Sequence, residues 1–336
     1  MLTLVLAVFI ASLLGTGLIR RYAAARLMDI PNARSSHSLP TPRGGGLAIV
    51  LALAGASYSL FAGGRIPFNA WAAFNCALPV ALIGFLDDHR HVPARWRLSI
   101  HILAAAGATY FLLYDLPVYD SPPAILTGLG PAARLTLTGA ALLALVWSLN
   151  LFNFMDGIDG LAGSQALFVA GGLGLFLAQE QSALSGFGYC AAAAAAGFLC
   201  WNWPKAKIFM GDVGSGYLGL ILGIYILAAA CLQAKLLYCG TILHALFICD
   251  ASYTLLTRML TGQAWLQAHR LHAYQRIAAR RGHAAALQAA WAINLGWLTP
   301  LAFWAYWRPD YAWAGMLLSY LPLLLLVNRL KAGQPD

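Results

Sequence analysis

The sequence predicts an all-α integral membrane protein, a polytopic bundle of about 11 transmembrane helices. Three observations predict it. The chain is 60% hydrophobic and only 10% charged over 336 residues, where a soluble domain carries about a quarter charged residues. Several apolar stretches approach the ~20 residues a helix needs to cross a bilayer. Those stretches are continuously apolar rather than alternating, which favours helices over a barrel.

Taken in order, the apolar stretches cover roughly 2–19, 44–62, 70–86, 98–116, 135–150, 161–178, 185–201, 215–232, 236–256, 285–307 and 311–329. The first lacks a basic segment before it, and Arg20 and Arg21 follow it. It therefore reads as a retained span with its N-terminus outside, not as a cleaved signal. The loops at 20–43, 87–97, 202–214 and 257–284, with the C-terminal segment 329–336, hold 17 of the 21 Lys and Arg residues. Arg65, Arg134, Lys235 and Arg308 fall on the other side. Positive charge marks the cytoplasmic side, so the C-terminus is expected in the cytoplasm. The same asymmetry accounts for the net charge of +9 without nucleic acid as a partner. The six cysteines lie in or at the ends of apolar spans and show no metal-ligand spacing. The run Ala191–Ala196 suits close helix packing through small side chains. Loop 117–134, with four prolines, reads as an outer turn segment. No second soluble domain is evident, so one transmembrane catalytic domain is expected over 1–336.

Five loops on the basic side, about 20–43, 87–97, 151–160, 202–214 and 257–284, carry the polar motifs. The first holds Arg34, His37 and Arg43 before Gly44-Gly45-Gly46. A glycine-opened helix N-terminus beside Arg suits a phosphate; a stiff connector is the alternative. The second holds Asp87-Asp88, with Arg90, Arg95 and Arg97 close behind. Adjacent carboxylates at a helix end call for a cation, whether those arginines, a divalent metal or a substrate.

The third loop follows Asn150-Leu-Phe-Asn153-Phe-Met-Asp156-Gly-Ile-Asp159-Gly. Two carboxamides and two carboxylates at three-residue spacing spread over half an ideal helix but line up in a 3₁₀ turn. Their alternative is helix capping and solvation. In the fourth loop Asn202 precedes Lys205 and Lys207, and Asp212 stands between glycines. Such a carboxylate can hold Mg²⁺ or cap the next helix. The fifth reads His269-Arg270-Leu-His272-Ala-Tyr274-Gln-Arg276. It suits a nucleotide diphosphate or an anionic lipid surface. Asp250 stands ready to pair with Arg258 or a substrate.

Taken together these loops resemble the polyprenyl-phosphate N-acetylhexosamine-1-phosphate transferase family (glycosyltransferase family 4). The likeness runs from Asp29 to Arg276. The fifth loop lacks the triple histidine of the branch that makes phospho-MurNAc-pentapeptide lipid. It looks instead like the bacterial branch that initiates O-antigen or related surface glycans. The resemblance implies transfer of HexNAc-1-phosphate from a UDP-N-acetylhexosamine to undecaprenyl phosphate, with release of UMP, at the cytoplasmic face of the inner membrane.

It also implies Mg²⁺, with Mn²⁺ as a substitute, and a homodimer by analogy. Carried onto this chain, Asp212 and Asp156 would bind the metal. Asp87, Asp88, Asp156, Asp159, His269 and His272 would be catalytic. Arg34, His37, Arg43, Arg95, Arg97, Asn150, Asn153, Asn202, Arg270, Tyr274 and Arg276 would hold substrates. A phospho-MurNAc-pentapeptide transferase is the alternative within the family. A transporter is the alternative from another class, but transporter sites lie near the bilayer midplane and these acids gather at one face.

Overall fold

A computed structural model of the chain describes residues 1–31, 39–115, 123–264, 267 and 269–335. Helix α1 (Leu2–Arg26) leads into a short antiparallel pair, β1 (Met28–Asp29) with β2 (Thr41–Pro42). Then follow α2 (Gly46–Ala62), α3 (Phe68–Asn75), α4 (Leu78–His89), α5 (Ala94–Leu113), α6 (Pro131–Met155), α7 (Leu161–Gln179) and α8 (Leu184–Asn202). The chain continues with α9 (Asp212–Leu232), α10 (Lys235–Leu243), α11 (Ala245–Leu260), α12 (Ala273–Arg281), α13 (His283–Ile293), α14 (Thr299–Trp307) and α15 (Ala312–Arg329).

Among the described residues, eight helical segments are long and apolar enough to cross a bilayer, with α3 and α4 counted together as one (Phe68–His89), and nine if α10 and α11 form one crossing. The chain is an all-α, multi-pass membrane protein. The expected eleven spans are not all uniform rods. Helix α2 has only 17 residues. The expected span 236–256 is α10 and α11, bent by 69°. The expected span 285–307 is α13 and α14 joined through a π-turn at Asn294–Leu298.

Helix α9 forms the centre. It is apolar on every side and almost wholly enclosed, as an all-round apolar helix should be. Neighbours reach it through residues without side chains. Gly46 of α2 lies directly against Gly214, and Gly84 of α4 lies against the backbone of Asp212. On α6, Ser148 Oγ donates to the Gly219 carbonyl (2.7 Å). Helices α1 and α8 pack closely as well, with Ser12 Oγ donating to the Ala194 carbonyl (2.6 Å). The alanine run therefore does serve close packing. These approaches fix where the N-terminus of α9 lies, and Asp212 is its first residue.

Candidate active site at one end of the bundle

Side-chain contacts tie the polar loops together at one end of the helices. Asp87 and Asp88 occupy the last turn of α4, and the α4–α9 crossing brings them to Asp212. Asp87 Oδ1 accepts the Val92 N–H (2.6 Å), and Oδ2 accepts Arg97 Nη1 (2.6 Å). The same Arg97 nitrogen lies 3.3 Å from Asp212 Oδ2. Arg97 thus supplies the cation that adjacent acids require. Among the described residues Arg90 and Arg95 form no ion pair with either acid.

Asp88 is buried and has a different task. Its Oδ1 accepts the Asp212 N–H and its Oδ2 the Val213 N–H, both at 3.1 Å. Two orphan amides of the α9 N-terminus are thereby satisfied from another helix. Gly211, with φ of +76°, makes the turn that allows this. Asp212 is therefore not the cap of α9; it is the first helical residue and receives a carboxylate cap from α4.

The third loop departs from the 3₁₀ expectation. Helix α6 stays α-helical to Met155, so Asn150 and Asn153 lie on its last turns rather than in line with the two acids. Asn153 Nδ2 donates to Asp212 Oδ1 (3.0 Å) and to Ser215 Oγ (3.1 Å). The Asn150 amide returns to the Val146 carbonyl (2.7 Å). Asp156 ends the helix. Among the described residues its carboxylate receives no hydrogen bond or ion pair. Burial raises its pKa well above the usual carboxylate range, and the charges of Asp212, Asp88 and Asp159 raise it further.

Asp159 turns toward the fourth loop. Its Oδ2 accepts the Ala206 N–H (3.1 Å), and its Oδ1 lies 3.2 Å from His283 Nδ1. Asn202 is buried. Its Oδ1 accepts the Gly160 N–H (2.9 Å) and its Nδ2 donates to the Ile208 carbonyl (2.9 Å). It ties two loops together instead of presenting a face to a nucleotide.

In the described part of the first loop, two of the three glycine amides are used inside the protein. The Gly45 and Gly46 N–H groups donate to the Phe209 and Met210 carbonyls (both 2.9 Å). Arg43 Nη2 donates to the Asp88 carbonyl (2.7 Å), with Nε 3.7 Å from Asp88 Oδ1. These contacts of Arg43, Gly45 and Gly46 brace the fourth loop and Asp88. Arg34 and His37 lie outside the described residues.

In the fifth loop, Asp250 pairs with His272 rather than with Arg258. Asp250 Oδ1 lies 3.2 Å from His272 Nδ1 and accepts the Ala273 N–H (3.0 Å), while Oδ2 accepts the Tyr274 N–H (3.0 Å). His272 is buried by this arrangement. Arg258 instead donates to the Ala264 (2.8 Å) and Gln267 (3.2 Å) carbonyls. The Tyr274 hydroxyl donates to the Phe154 carbonyl (2.9 Å) and sits against Gly157, which pins the fifth loop to the third. His269 stacks on His272, ring centroids 4.9 Å apart. Its pKa falls to about 3 through burial and the neighbouring His272 and Arg258. Arg276 donates to the Gln334 carbonyl, and Arg270 is exposed.

A cleft of ≈ 370 Å³ between α4, α5 and α6 opens beside Asp212. Asn150, Asn153, Arg95, Arg97 and His101 line it together with apolar side chains. His101 and His283 are the site neighbours that sequence reading missed. His101 stands four residues after Arg97, so helical spacing signals it. His283 meets Asp159 across 124 residues of chain, and no local pattern signals that.

Asp212 and Asp156 offer hard carboxylate oxygens, the kind Mg²⁺ takes. Asp156 stands among three other acids without a protein cation of its own. No group of three His, Cys, Asp or Glu is arranged around a metal position among the described residues. Mg²⁺ usually keeps several waters and binds through one or two carboxylates plus substrate phosphates, so an incomplete protein shell fits it.

The profile of glycosyl transferase family 4 matches residues 70–230. That range contains Asp87, Asp88, Asn150–Asp159, Asn202 and Asp212, and leaves out the fifth loop. The chain is 32% identical over 234 residues to a phospho-N-acetylmuramoyl-pentapeptide-transferase of Synechococcus elongatus, covering 66% of this chain and 63% of that protein. It is 32% identical over 230 residues to a decaprenyl-phosphate N-acetylglucosaminephosphotransferase of Mycobacterium tuberculosis, covering 60% of this chain and 54% of that protein. The chain thus spans less than two thirds of either relative's length. The profile match falls on the helices that build the acidic cluster; over residues 70–230 the chain is similar to glycosyl transferase family 4.

Proposed function

We propose that this chain transfers a HexNAc-1-phosphate from a UDP-N-acetylhexosamine to a polyprenyl phosphate, undecaprenyl phosphate in a bacterial inner membrane, and releases UMP. The carrying observation is the convergence of Asp87, Asp88, Asp156 and Asp212 with Arg97 and Asn153 beside a cleft between helices. An acidic cluster with a single bridging arginine suits two phosphorylated substrates only with a cation between. Mg²⁺, or Mn²⁺ in its place, held by Asp212 and Asp156, would neutralise charge on the transferred diphosphate.

The protein's own groups do the rest. An oxygen of the lipid phosphate attacks the β-phosphorus in line, the bond to the UMP oxygen breaks, and UMP leaves as a phosphate monoester. A phosphate monoester has its second pKa near ~6, so the attacking oxygen is already ionised and no proton must move. Asp87 accepts from both Val92 and Arg97, which suits an electrostatic anchor better than a base. Asp88 holds the α9 N-terminus, and with it Asp212, in place. Asn153 and Arg97 fix the Asp212 carboxylate from two sides. Arg95 and Asn150, in the cleft wall, face the path of the acceptor phosphate. His269 and Arg270 lie on the side expected for the sugar nucleotide. Asp159, Asn202, His272 and Tyr274 act as positioning residues. The site is assigned to the cytoplasmic face by the basic loops that surround it, with the N-terminus outside, and a homodimer is the expected assembly.

Within this reaction the chain is assigned to initiation of O-antigen or a related surface glycan, on the fifth loop's His-Arg-Leu-His sequence. Transfer of phospho-MurNAc-pentapeptide from UDP-MurNAc-pentapeptide to the same acceptor is the second reading, favoured by the equal 32% identity to the relative of that name. The test incubates the purified protein with undecaprenyl phosphate, Mg²⁺ and a panel of labelled UDP-sugars that includes UDP-MurNAc-pentapeptide. UMP release with one UDP-HexNAc is expected. Folded protein that releases UMP from none of the panel overturns the proposal.

A further inference from the structure

Trp201 lies in the last turn of α8, against α1. Its indole N–H donates to the Leu13 carbonyl of α1 (2.9 Å), and a Cβ at Gly17 would come within 2.8 Å of the ring. The ring is therefore fixed on α1. Two cations flank it: the Arg20 guanidinium carbon and Lys207 Nζ each lie 5.6 Å from the ring centroid. The two charges cannot be farther apart than twice that distance. The Lys207 N–H donates to the Trp201 carbonyl (2.8 Å) and closes the loop between them. Arg20 and Lys207 are exposed, and among the described residues neither pairs with a carboxylate.

We propose that Arg20, Trp201 and Lys207 form a headgroup site for an anionic phospholipid. Two neighbouring cations without an acidic partner can hold an anion between them, and Arg is a natural fork for phosphate oxygens. The height in the membrane selects the source. The apolar run of α1 ends at Arg20, and tryptophan belongs to the interfacial belt where lipid headgroups lie. Leu14 and Leu18 of α1 are exposed just below and offer apolar surface to acyl chains. A phosphodiester joined to acyl chains satisfies both surfaces at once, and a soluble phosphate satisfies only one.

The site also touches the catalytic loops. The loop closed by Lys207 carries the Ala206 N–H that holds Asp159 (3.1 Å) and follows the Asn202 that holds Gly160 (2.9 Å). Binding a headgroup orders the segment that positions Asp159. This second consequence rests on the proposed transferase reaction; the binding itself does not.

The test places the whole protein in nanodiscs of phosphatidylcholine alone, or with a minor fraction of phosphatidylglycerol, and counts retained lipids by mass spectrometry of the intact complex. Wild type should retain phosphatidylglycerol over phosphatidylcholine. Arg20→Gln and Lys207→Gln should each weaken that preference about fivefold, the effect of one basic residue near an anionic membrane surface. Arg65→Gln, at the opposite end, should leave it unchanged. Equal thermal unfolding of the variants in phosphatidylcholine alone confirms their fold; should one unfold, the other single variant gives the reading. Undiminished phosphatidylglycerol retention by a folded variant overturns the proposal. So does displacement of the bound lipid by millimolar inorganic phosphate, which would make the site one for soluble anions. UMP release stimulated by phosphatidylglycerol in wild type and not in the variants would support the coupling. Absence of UMP release from every form speaks against the transferase reading and leaves lipid retention to decide this one.

Discussion

The carboxylate of Asp88 accepts the backbone amides of both Asp212 and Val213, 124 and 125 residues further along the chain. A helix N-terminus is thereby capped from a neighbouring helix, and the residue that opens it is the best candidate for the metal. The acid pair at 87 and 88 divides its labour. One member faces the cleft through Arg97, and the other locks the scaffold.

Asp88→Ala should therefore cost stability as well as activity. Loss of a carboxylate cap costs about 0.5–2 kcal/mol, and here two buried amides lose their acceptor. Asp88→Asn keeps one acceptor oxygen and should fall between Ala and wild type. Thermal unfolding in detergent measures the order. An Ala variant as stable as wild type would show that the cap carries no stability.

Asp156→Asn should raise thermal stability in metal-free protein at neutral pH. Burial and three nearby acids raise the native pKa of Asp156, so its ionisation opposes folding. That penalty begins as pH climbs above the unfolded carboxylate value of about 4 and is absent below it. The gap between variant and wild type should therefore close in acid. Mg²⁺ should stabilise wild type more than Asp156→Asn or Asp212→Asn. Equal Mg²⁺-induced shifts in all three would remove these residues from the metal site.

Gly211→Ala should be strongly destabilising. The residue has φ of +76°, and a Cβ would stand 2.6 Å from Asp88 Oδ2. The left-handed conformation alone costs about 1–3 kcal/mol for a residue with a side chain, and the clash would push the cap away from α9. Reduced expression of folded protein or a lowered melting temperature checks this. Gly64→Ala is the useful comparison, since its φ is +65° but no atom lies within 4 Å of its Cβ position.

Asp87→Asn should lower kcat without rescue at high pH. The Asp87 carboxylate is bound by Val92 N–H and Arg97, and the acceptor phosphate is already ionised near neutrality. A rate profile across pH decides between roles. Recovery of the variant above pH 8 would restore a role for Asp87 as a base.

The sequence by itself determined the membrane-embedded, all-helical class, because ~20-residue apolar runs have few other solutions. It also determined which loops carry chemistry: Asp87, Asp88, Asn153, Asp156 and Asp212 stand out as polar residues at the edges of apolar spans, where burying them has a cost. Tertiary structure decided what each one does. That Asp88 caps α9, that Asn202 and Asp250 hold loops, and that Gly45 and Gly46 spend their amides on Phe209 and Met210 all depend on partners distant in the chain. The crossing of α4, α6 and α9 at glycines places those partners, and no local pattern encodes it. The bend at His244 and the π-turn at Asn294 were equally hidden, since apolar composition continues through both while the backbone does not.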